Sequence, residues 1–271
     1  MRIGRNIHPT VLPWHVQPGF PALRAGWIFP LSAILFIAIW QMGSAGSEAI
    51  HFQFSSPADV VAQANKWLID GSLLHHGLIT LSEVLAGFTL GVSTAFIMGY
   101  AMTKNRTLAA ILNPYIVGFQ AVPIIAIAPV LILFFDNGTL IIAIISALIV
   151  FFPMLATTVV AIRAIDPNLR DIMVTLAATR WQTFRQLELP AALPTLMGGI
   201  RISIVLAVAG AVVGEAVRPG AGLGYLIYSA RYVFNAAGVI TSIFALIGMS
   251  LLLYGLATAI ERRLLRWRER L

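Results

Sequence analysis

Six apolar stretches long enough to cross a lipid bilayer dominate this chain, at roughly 26–43, 78–102, 110–134, 139–162, 192–215 and 238–260. About 20 apolar residues in a helix span the roughly 30 Å hydrocarbon core of a membrane. Lipid offers the backbone no hydrogen-bond partner, so a spanning segment has to satisfy its own amides, as a helix does. Only 11% of the 271 residues are charged, whereas a soluble domain carries about 25%. The chain is therefore predicted to be an all-α polytopic membrane protein with about six transmembrane helices.

The distribution of basic residues predicts the orientation of these helices. If the N-terminus is cytoplasmic, only three of the 18 Lys and Arg residues, Lys66, Arg218 and Arg231, fall on the outer side. Cytoplasmic loops of membrane proteins are enriched in Lys and Arg, so both termini are predicted to be cytoplasmic (N-in, C-in). The same placement accounts for the net charge of +7, and no nucleic-acid partner is expected.

We expect a single transmembrane domain over 1–271, because no linker, low-complexity tract or clear internal repeat divides the sequence. The parts outside the spans are a cytoplasmic N-terminal segment 1–25, an external loop 44–77, a cytoplasmic loop 163–191 and a cytoplasmic tail 261–271. The first stretch nearly reaches spanning length and is predicted to be an uncleaved helix. A cleaved signal peptide that begins with Arg2 and Arg5 is the alternative. Ser56-Pro57 predicts the start of an interfacial helix.

A stripe of small residues marks the second apolar stretch. Gly87, Gly91, Ala95 and Gly99 recur every four residues and therefore lie on one face of a helix. Small residues at this spacing let another helix approach closely within a membrane. The sequence predicts a packing surface along this face.

Four residues are candidates for the transport pathway or its gate. Pro123 and Pro129 are predicted to interrupt the third span, because proline removes a backbone hydrogen bond. Carbonyls freed in this way can line a cavity in a transporter, and Gln120 lies beside this break. Glu215 is the fourth candidate, because an ionisable group near the end of an apolar span suggests function. The alternative is that Glu215 reaches external water or pairs with Arg218. Within the spans the sequence suggests no pair of neighbouring carboxylates.

Two short helices are predicted in the cytoplasmic loop. Asp166 can cap free amides and Pro167 suits the first helical position, so a helix is predicted from there to about Leu176. A second helix is predicted to run from about Thr179 to Leu187, after which the chain returns to the membrane.

The second of these helices carries an unusual face. Arg180, Phe184 and Leu187 are spaced three and four residues apart, and Trp181 and Arg185 flank them at the same spacing. Trp and Arg commonly dominate the energetics of protein interfaces. An aromatic and basic face in this position is suited to an apolar groove with an acidic rim on a soluble partner.

This loop resembles the coupling-loop signature of bacterial ABC importer permeases: glutamate-alanine-alanine, three residues, glycine, nine residues, then isoleucine-x-leucine-proline. The matching positions are, in order, Asp171, Ile172, Met173, Ala177, Leu187, Leu189 and Pro190. The spacing agrees throughout, although alanine replaces the glycine. Either the turn at Ala177 is right-handed, or it carries strain on the order of 1 kcal/mol.

Further stretches are similar to the nitrate/sulfonate/taurine-like branch of these permeases, among them Gly214-Glu215 and Gly222-Leu223-Gly224-Tyr225. The resemblance covers about residues 75–262. It implies a type I ABC importer-like fold in a bacterial inner (plasma) membrane. It also implies that the coupling residues are Asp171, Ala177, Arg180, Trp181, Phe184, Arg185, Leu187 and Pro190.

The resemblance implies partners as well. They are ABC ATPase subunits at 167–190, a second copy of the permease, and a periplasmic or lipid-anchored solute-binding protein at 44–77 and 216–237. The chain lacks a GxxxxGK[ST] loop and any recognisable catalytic cluster or metal-ligating set. It is therefore expected to be a non-enzymatic subunit without a cofactor of its own, while the ATPase binds ATP and Mg.

The implied solute is a small compound of the nitrate/sulfonate/taurine class, with a thiamine precursor, riboflavin or a similar heterocycle as the alternative. An ion-coupled secondary carrier is the rival from another class. Such a carrier needs intramembrane acids or basic relays for its coupling ion, and Glu215 is the single candidate recognised in the sequence.

Overall fold

Helices make up the described part of the chain, in which no β-strand occurs. The computed structural model describes residues 22–44, 55–134, 138–217 and 220–266. The helices are α1 (Ala22–Ser44), α2 (Pro57–Ile69), α3 (Ser72–Lys104), α4 (Arg106–Gln120), α5 (Ile124–Phe134), α6 (Gly138–Arg163), α7 (Pro167–Thr175), α8 (Arg180–Thr183), α9 (Leu189–Val217), α10 (Leu223–Tyr232) and α11 (Ala236–Leu264). A π-helical turn, Phe184–Glu188, joins α8 to α9. The expectations for 1–21, 45–54 and 267–271, and for Arg218, concern residues outside the described ranges.

Four helical runs in the described ranges are long and apolar enough to cross a membrane: α3, α6, α11 and the continuous run Arg180–Val217. A shorter apolar helix covers Pro30–Ser44. The third predicted span is not one helix, since α4 ends at Gln120 and α5 begins at Ile124. The break coincides with Pro123, as expected from its missing amide. The expected interruption at Pro129 is wrong, because α5 continues through that residue.

The external loop begins its helix where the sequence predicts. The Asp59 amide donates to Ser56 Oγ at 3.2 Å, and the Ser56 amide donates to Asp59 Oδ2 at 3.0 Å. This reciprocal capping satisfies two amides that would otherwise lack partners at the start of α2.

Close packing of α3 against α6 forms the centre of the bundle. A Cβ atom on Gly91 would lie 2.7 Å from the carbonyl oxygen of Ala147, and one on Gly87 would lie 2.5 Å from Ser146 Cβ. Gly99 meets Thr158 in the same way. The small-residue stripe on α3 is therefore the predicted packing surface, and its partner is α6.

We expect Gly91→Ala to lower the thermal unfolding temperature of the detergent-solubilised protein. The added methyl group meets a backbone oxygen that cannot move alone, and overpacking of this kind costs about 1–3 kcal/mol, or several degrees in a chain of this size. Gly255→Ala in α11 is the matched control, because a Cβ there has no atom within 4 Å. Gly255→Ala should leave the unfolding temperature unchanged or raise it slightly. Equal behaviour of the two variants would contradict the packing.

Polar contacts show that α3 and α9 run in opposite directions. Thr80 near the start of α3 meets Glu215 near the end of α9, whereas Lys104 at the end of α3 meets Glu188 just before α9. The end that carries Lys104 and Glu188 also carries the loop between α6 and α9, and we call it the basic end. The basic-residue pattern assigns this end to the cytoplasm, and the opposite end to the outside.

Candidate coupling site and a buried carboxyl pair

Residues 166–188, called the hairpin below, begin both of their helices as predicted. The Asn168 amide donates to Asp166 Oδ1 at 2.9 Å, which caps α7. The Gln182 amide donates to Thr179 Oγ1, and the Thr179 amide donates to Gln182 Oε1 at 2.7 Å, which caps α8 reciprocally. Both caps are local, so they can be read directly from the sequence.

The second arm of the hairpin does not end where the sequence predicts. Instead of stopping near Leu187, the helix passes through the π-helical turn and continues into α9. Pro190 and Pro194 lie inside this continuous run. Proline provides no amide for the helical ladder, and a π-helical turn just before Pro190 changes the hydrogen-bond register where that ladder is already incomplete.

The turn between the two arms is left-handed at Ala177, with φ of 51°. The Ala177 amide donates to the Val174 carbonyl at 2.9 Å, and the Ala178 amide donates to the Met173 carbonyl at 3.0 Å. These two bonds form a Schellman cap, which usually places glycine at the left-handed position. Of the two alternatives left open by the sequence, the structure has the strained one, at a cost of about 1–2 kcal/mol for a residue with a Cβ.

We expect Ala177→Gly to protect the hairpin amides against hydrogen exchange, and Ala177→Val to expose them. Glycine relieves strain on the order of 1 kcal/mol, partly offset by its greater freedom in the unfolded chain. Valine adds a branched Cβ to the same left-handed geometry. The matched control is the neighbouring Ala178, which has no positive φ. Ala178→Gly should weaken protection, and the same sign of change at both positions would contradict the left-handed turn.

The structure divides the predicted aromatic and basic face between two directions. Trp181 is 66% exposed, and Arg180 and Arg185 are exposed beside it. Phe184 is half-buried between two rings, stacked on Trp181 at 5.5 Å and edge-on to Tyr100 at 5.1 Å. The expectation of a single face is thus corrected: the basic residues and the tryptophan face outward, and Phe184 faces the bundle.

The remaining predicted coupling residues follow the same division. Asp171 and Ala177 are exposed on the first arm and the turn. Leu187 is half-buried and packs on the core cluster of α3, α6 and α9. Pro190 is half-buried at the start of α9.

Glu188 connects the hairpin to the bundle, a role that sequence reasoning missed. Its side chain is 1% exposed and accepts a hydrogen bond from the Tyr100 hydroxyl at 2.8 Å. It also forms an ion pair with Lys104 at the end of α3, and lies 3.7 Å from Nε of Arg170 on α7. A charged residue between two leucines at the entry to a span was the available signal, because such a group needs a partner.

One of the candidate pathway residues, Gln120, lines a cavity. A cavity of about 440 Å³ is lined by Gln120 and by Val122 and Ile124, which flank Pro123 in the break between α4 and α5. Phe152 and Pro153 of α6 line its other side. A cavity thus lies beside the break, although neither Pro123 nor Pro129 lines it, and a pathway role for these residues stays a prediction.

Glu215 is buried, with 1% of its surface exposed. Thr80 Oγ1 donates to Glu215 Oε1 at 2.6 Å, and the Gly224 amide donates to Glu215 Oε2. Thr80 Oγ1 in turn accepts from the Leu223 amide at 2.7 Å. The alternative in which Glu215 reaches external water is wrong, because α3 and the start of α10 enclose its carboxyl group.

A second buried glutamate lies against the first. Glu83 of α3 is 2% exposed, and its carboxyl group is within hydrogen-bonding reach of the Glu215 carboxyl. We call these two residues the carboxyl pair. The expectation that the membrane region lacks paired carboxylates is wrong. Glu83 lies inside a predicted span, so counting acids within the spans would have found both members but not their contact.

Glycines fit the carboxyl pair closely. A Cβ atom on Gly222 would overlap the Glu215 carboxyl, and one on Gly224 would lie 2.6 Å from Glu215 Oε2. Gly222 also has φ of 120°, a backbone conformation that residues with a Cβ atom rarely adopt.

The described residues contain no group of three or more His, Cys, Asp or Glu side chains placed to hold a metal ion.

Comparisons with known proteins agree with this arrangement. The family described as "Binding-protein-dependent transport system inner membrane component" matches residues 87–266. The chain is 41% identical over 238 residues to the riboflavin transport system permease protein RibX of Chloroflexus aurantiacus, covering 88% of this chain and 89% of that relative. It is 31% identical over 252 residues to the putative aliphatic sulfonates transport permease protein SsuC of Bacillus subtilis, covering 91% and 90%.

A solved structure shares the fold. The chain aligns with an inward-facing conformation of the MetNI methionine ABC transporter with a TM-score of 0.57 and 22% sequence identity. The alignment covers 73% of this chain and 96% of the solved chain. The helical bundle and its hairpin therefore have the architecture of an ABC importer permease.

Proposed function

Because this chain belongs to the family of binding-protein-dependent transport inner-membrane components, we propose that it forms a solute pathway together with a second copy of itself. Permeases of this family are not themselves catalytic, and separate ATPase subunits hydrolyse ATP. The family also implies a solute-binding protein as a partner. The chain is thus an inner-membrane subunit of an ABC importer.

The hairpin is the proposed docking site of the ATPase. The single observation that carries this proposal is its division into an exposed tip and a buried root. Trp181 offers a large aromatic surface to a partner. Glu188 on the same arm forms ion pairs with Lys104 of α3 and Arg170 of α7. A movement imposed on the tip would therefore reach the bundle directly.

The external segments are the proposed docking surface of the binding protein. Among the described residues these are α2 in the first external loop and α10 in the second. Gly222 and Gly224, at the start of α10, contact Glu215 of the carboxyl pair. Docking at this surface would thus bear on the outer end of the bundle as well.

The proposed solute is a small compound of the nitrate/sulfonate/taurine class or a heterocycle such as riboflavin or a thiamine precursor. The two relatives compared above represent both kinds, an aliphatic sulfonate in one name and riboflavin in the other. Composition does not separate them, since lipid-facing residues dominate it.

Co-purification and reconstitution test the proposal. Affinity purification of the full chain in mild detergent should bring down an ATPase. Proteoliposomes that contain the permease, the ATPase and the binding protein should then accumulate solute when ATP is supplied. A protonophore should not prevent this accumulation. The matched control is the same complex with the ATPase's P-loop lysine replaced by alanine, which should abolish uptake. Solute accumulation by the permease alone would contradict the proposal and favour the ion-coupled carrier, for which the carboxyl pair is the specific supporting observation.

A further inference from the structure

The first turn of α10 is held by side chains of two other helices. Three consecutive backbone amides donate to them: Gly222 to His76 Nδ1 at 2.9 Å, Leu223 to Thr80 Oγ1 at 2.7 Å, and Gly224 to Glu215 Oε2. The first amides of a helix have no partner within it, and the residue just before the helix usually caps them. Glycine occupies that position here and has no side chain to do so. The start of α10 is therefore fixed to α3 and α9, which provide its caps.

The contacts from α3 come from one side of that helix. His76, Thr80 and Glu83 are spaced four and three residues apart and therefore lie on one face. His76 also stacks on Tyr225 of α10, with 5.7 Å between the ring centroids. Thr80 is completely buried. We call His76, Thr80, Glu83 and Glu215 the clamp.

The directions of the hydrogen bonds show that Glu215 accepts at both of its oxygens. Thr80 Oγ1 accepts the Leu223 amide and directs its own proton to Glu215 Oε1 at 2.6 Å. Glu215 Oε2 accepts the Gly224 amide. An ionised carboxylate accepts at both oxygens, whereas a protonated one uses one oxygen as a donor. The positive N-terminal end of α10 also favours a negative charge at this point, so Glu215 is the ionised member of the carboxyl pair.

Glu83 then carries the proton that the carboxyl pair needs. Its carboxyl group lies within hydrogen-bonding reach of the Glu215 carboxyl. Two ionised carboxylates in contact repel each other strongly, so such a pair retains one proton. Since both Glu215 oxygens accept, the proton belongs to Glu83, which donates it to Glu215. Glu83 Oε2 is buried without a partner among the described residues, which is less costly for a neutral group than for a charged one.

We propose that Glu83 is a neutral carboxylic acid that donates to ionised Glu215, and that the clamp transmits docking of the binding protein on α10 to α3 and α9. This inference rests on the proposed function, in which α10 is part of the docking surface. Glu83 is a positioning residue, because it holds Glu215, and Glu215 and Thr80 hold the start of α10.

Hydrogen exchange of amides 222–224 in the purified permease–ATPase complex tests the clamp. Thr80→Val keeps the shape of the side chain but removes its hydroxyl group, and should speed exchange about tenfold because these amides lose their acceptor network. Thr89→Val is the matched control on the same helix, since Thr89 is exposed and donates to the Leu85 carbonyl within α3. It should leave the exchange of amides 222–224 unchanged. Equal exchange in the two variants would overturn the clamp.

The position of the proton gives different expectations for two replacements of Glu83. Glu83→Gln keeps an N–H donor toward Glu215 and should exchange like the wild type. Glu83→Leu offers no donor and should exchange about tenfold faster. Glu215→Gln replaces an acceptor oxygen by a donor group and should also exchange faster. Equal acceleration in Glu83→Gln and Glu83→Leu would overturn the assignment of the proton to Glu83.

Infrared spectroscopy tests the same assignment without an apolar replacement, which could prevent folding. The wild type at neutral pH should show the C=O stretch of a protonated carboxyl group that is missing from Glu83→Gln. The stretch should persist in Glu261→Gln, which removes a carboxylate at the basic end. Identical carboxyl bands in the wild type and Glu83→Gln would show that Glu83 is ionised and would overturn the proposal.

Stimulation of ATPase activity by the loaded binding protein tests the transmission. Thr80→Val should lower this stimulation about fivefold or more, and Thr89→Val should not. Full stimulation of a Thr80→Val complex whose amides 222–224 exchange rapidly would overturn the transmission. Failure of the wild type to associate with an ATPase would instead remove the proposed function and the transmission with it. Exchange and infrared measurements on the permease would still decide whether the clamp exists.

Discussion

Replacing Glu188 by alanine should reduce ATP-driven uptake about tenfold, because this residue connects the proposed ATPase docking site to the transmembrane bundle. The free energy that couples two sites of a protein is typically about 1–3 kcal/mol, which corresponds to about 5–150-fold. Glu188 is buried and holds Lys104, Arg170 and Tyr100 at one point. Removing it leaves two cations without their partner. Lys104 and Arg170 are partly exposed, so the loss of stability should be about 2 kcal/mol, between the values of exposed and fully buried pairs.

The measurements are solute uptake, ATPase activity with and without loaded binding protein, and thermal unfolding. Uptake and the stimulation of ATPase activity should both fall, while basal hydrolysis persists. Glu261→Ala is the matched control, because it removes a carboxylate that pairs with Arg201 at 3.2 Å between α9 and α11. Glu188→Gln, which still accepts from Tyr100, should give an intermediate loss. Equal losses of uptake in Glu188→Ala and Glu261→Ala would contradict a coupling role for Glu188.

Trp181→Ala should weaken the association of permease and ATPase about thirtyfold. Its indole is 66% exposed, and truncating a dominant aromatic residue at an interface costs about 2 kcal/mol or more. Phe184→Ala should also weaken association, because Phe184 supports the indole by stacking at 5.5 Å. The measurement is the dissociation constant of the detergent-solubilised complex.

Tyr232→Ala is the control for Trp181→Ala. Tyr232 is an aromatic residue that is 84% exposed at the end of α10, at the opposite end of the bundle. Its truncation should leave ATPase association unchanged. Wild-type association of a Trp181→Ala, Phe184→Ala double variant would exclude the hairpin tip from the docking surface.

Local features of the fold could be predicted from the sequence, because they depend on neighbours along the chain. The caps at Asp166 and Thr179 and the break at Pro123 follow from the chemistry of a few adjacent residues. The small-residue stripe on α3 follows from helical periodicity. These predictions hold irrespective of what packs against each helix.

Features that depend on tertiary contacts were missed or left open. The handedness of the turn at Ala177 is a local feature by contrast: its Schellman hydrogen bonds lie within residues 173–178, and it is left open only because alanine replaces the glycine that usually marks such a turn. Leu187 was assigned to a partner although the core of the bundle accommodates it. The contact between Glu83 and Glu215 joins positions far apart in the chain, and no periodicity within either helix encodes it.

The second arm of the hairpin and the membrane helix α9 form one continuous helical run, because the π-helical turn joins α8 to α9. A movement of the arm therefore moves the whole run. The run Arg180–Val217 contains 38 residues and is about 57 Å long at about 1.5 Å per residue. Tilting this rod by about 5° around its midpoint would displace each tip by about 2.5 Å, enough to break a hydrogen bond. Trp181 lies at one tip and Glu215 near the other. A small tilt produced by nucleotide hydrolysis would therefore weaken the contacts of Glu215 with residues 222–224.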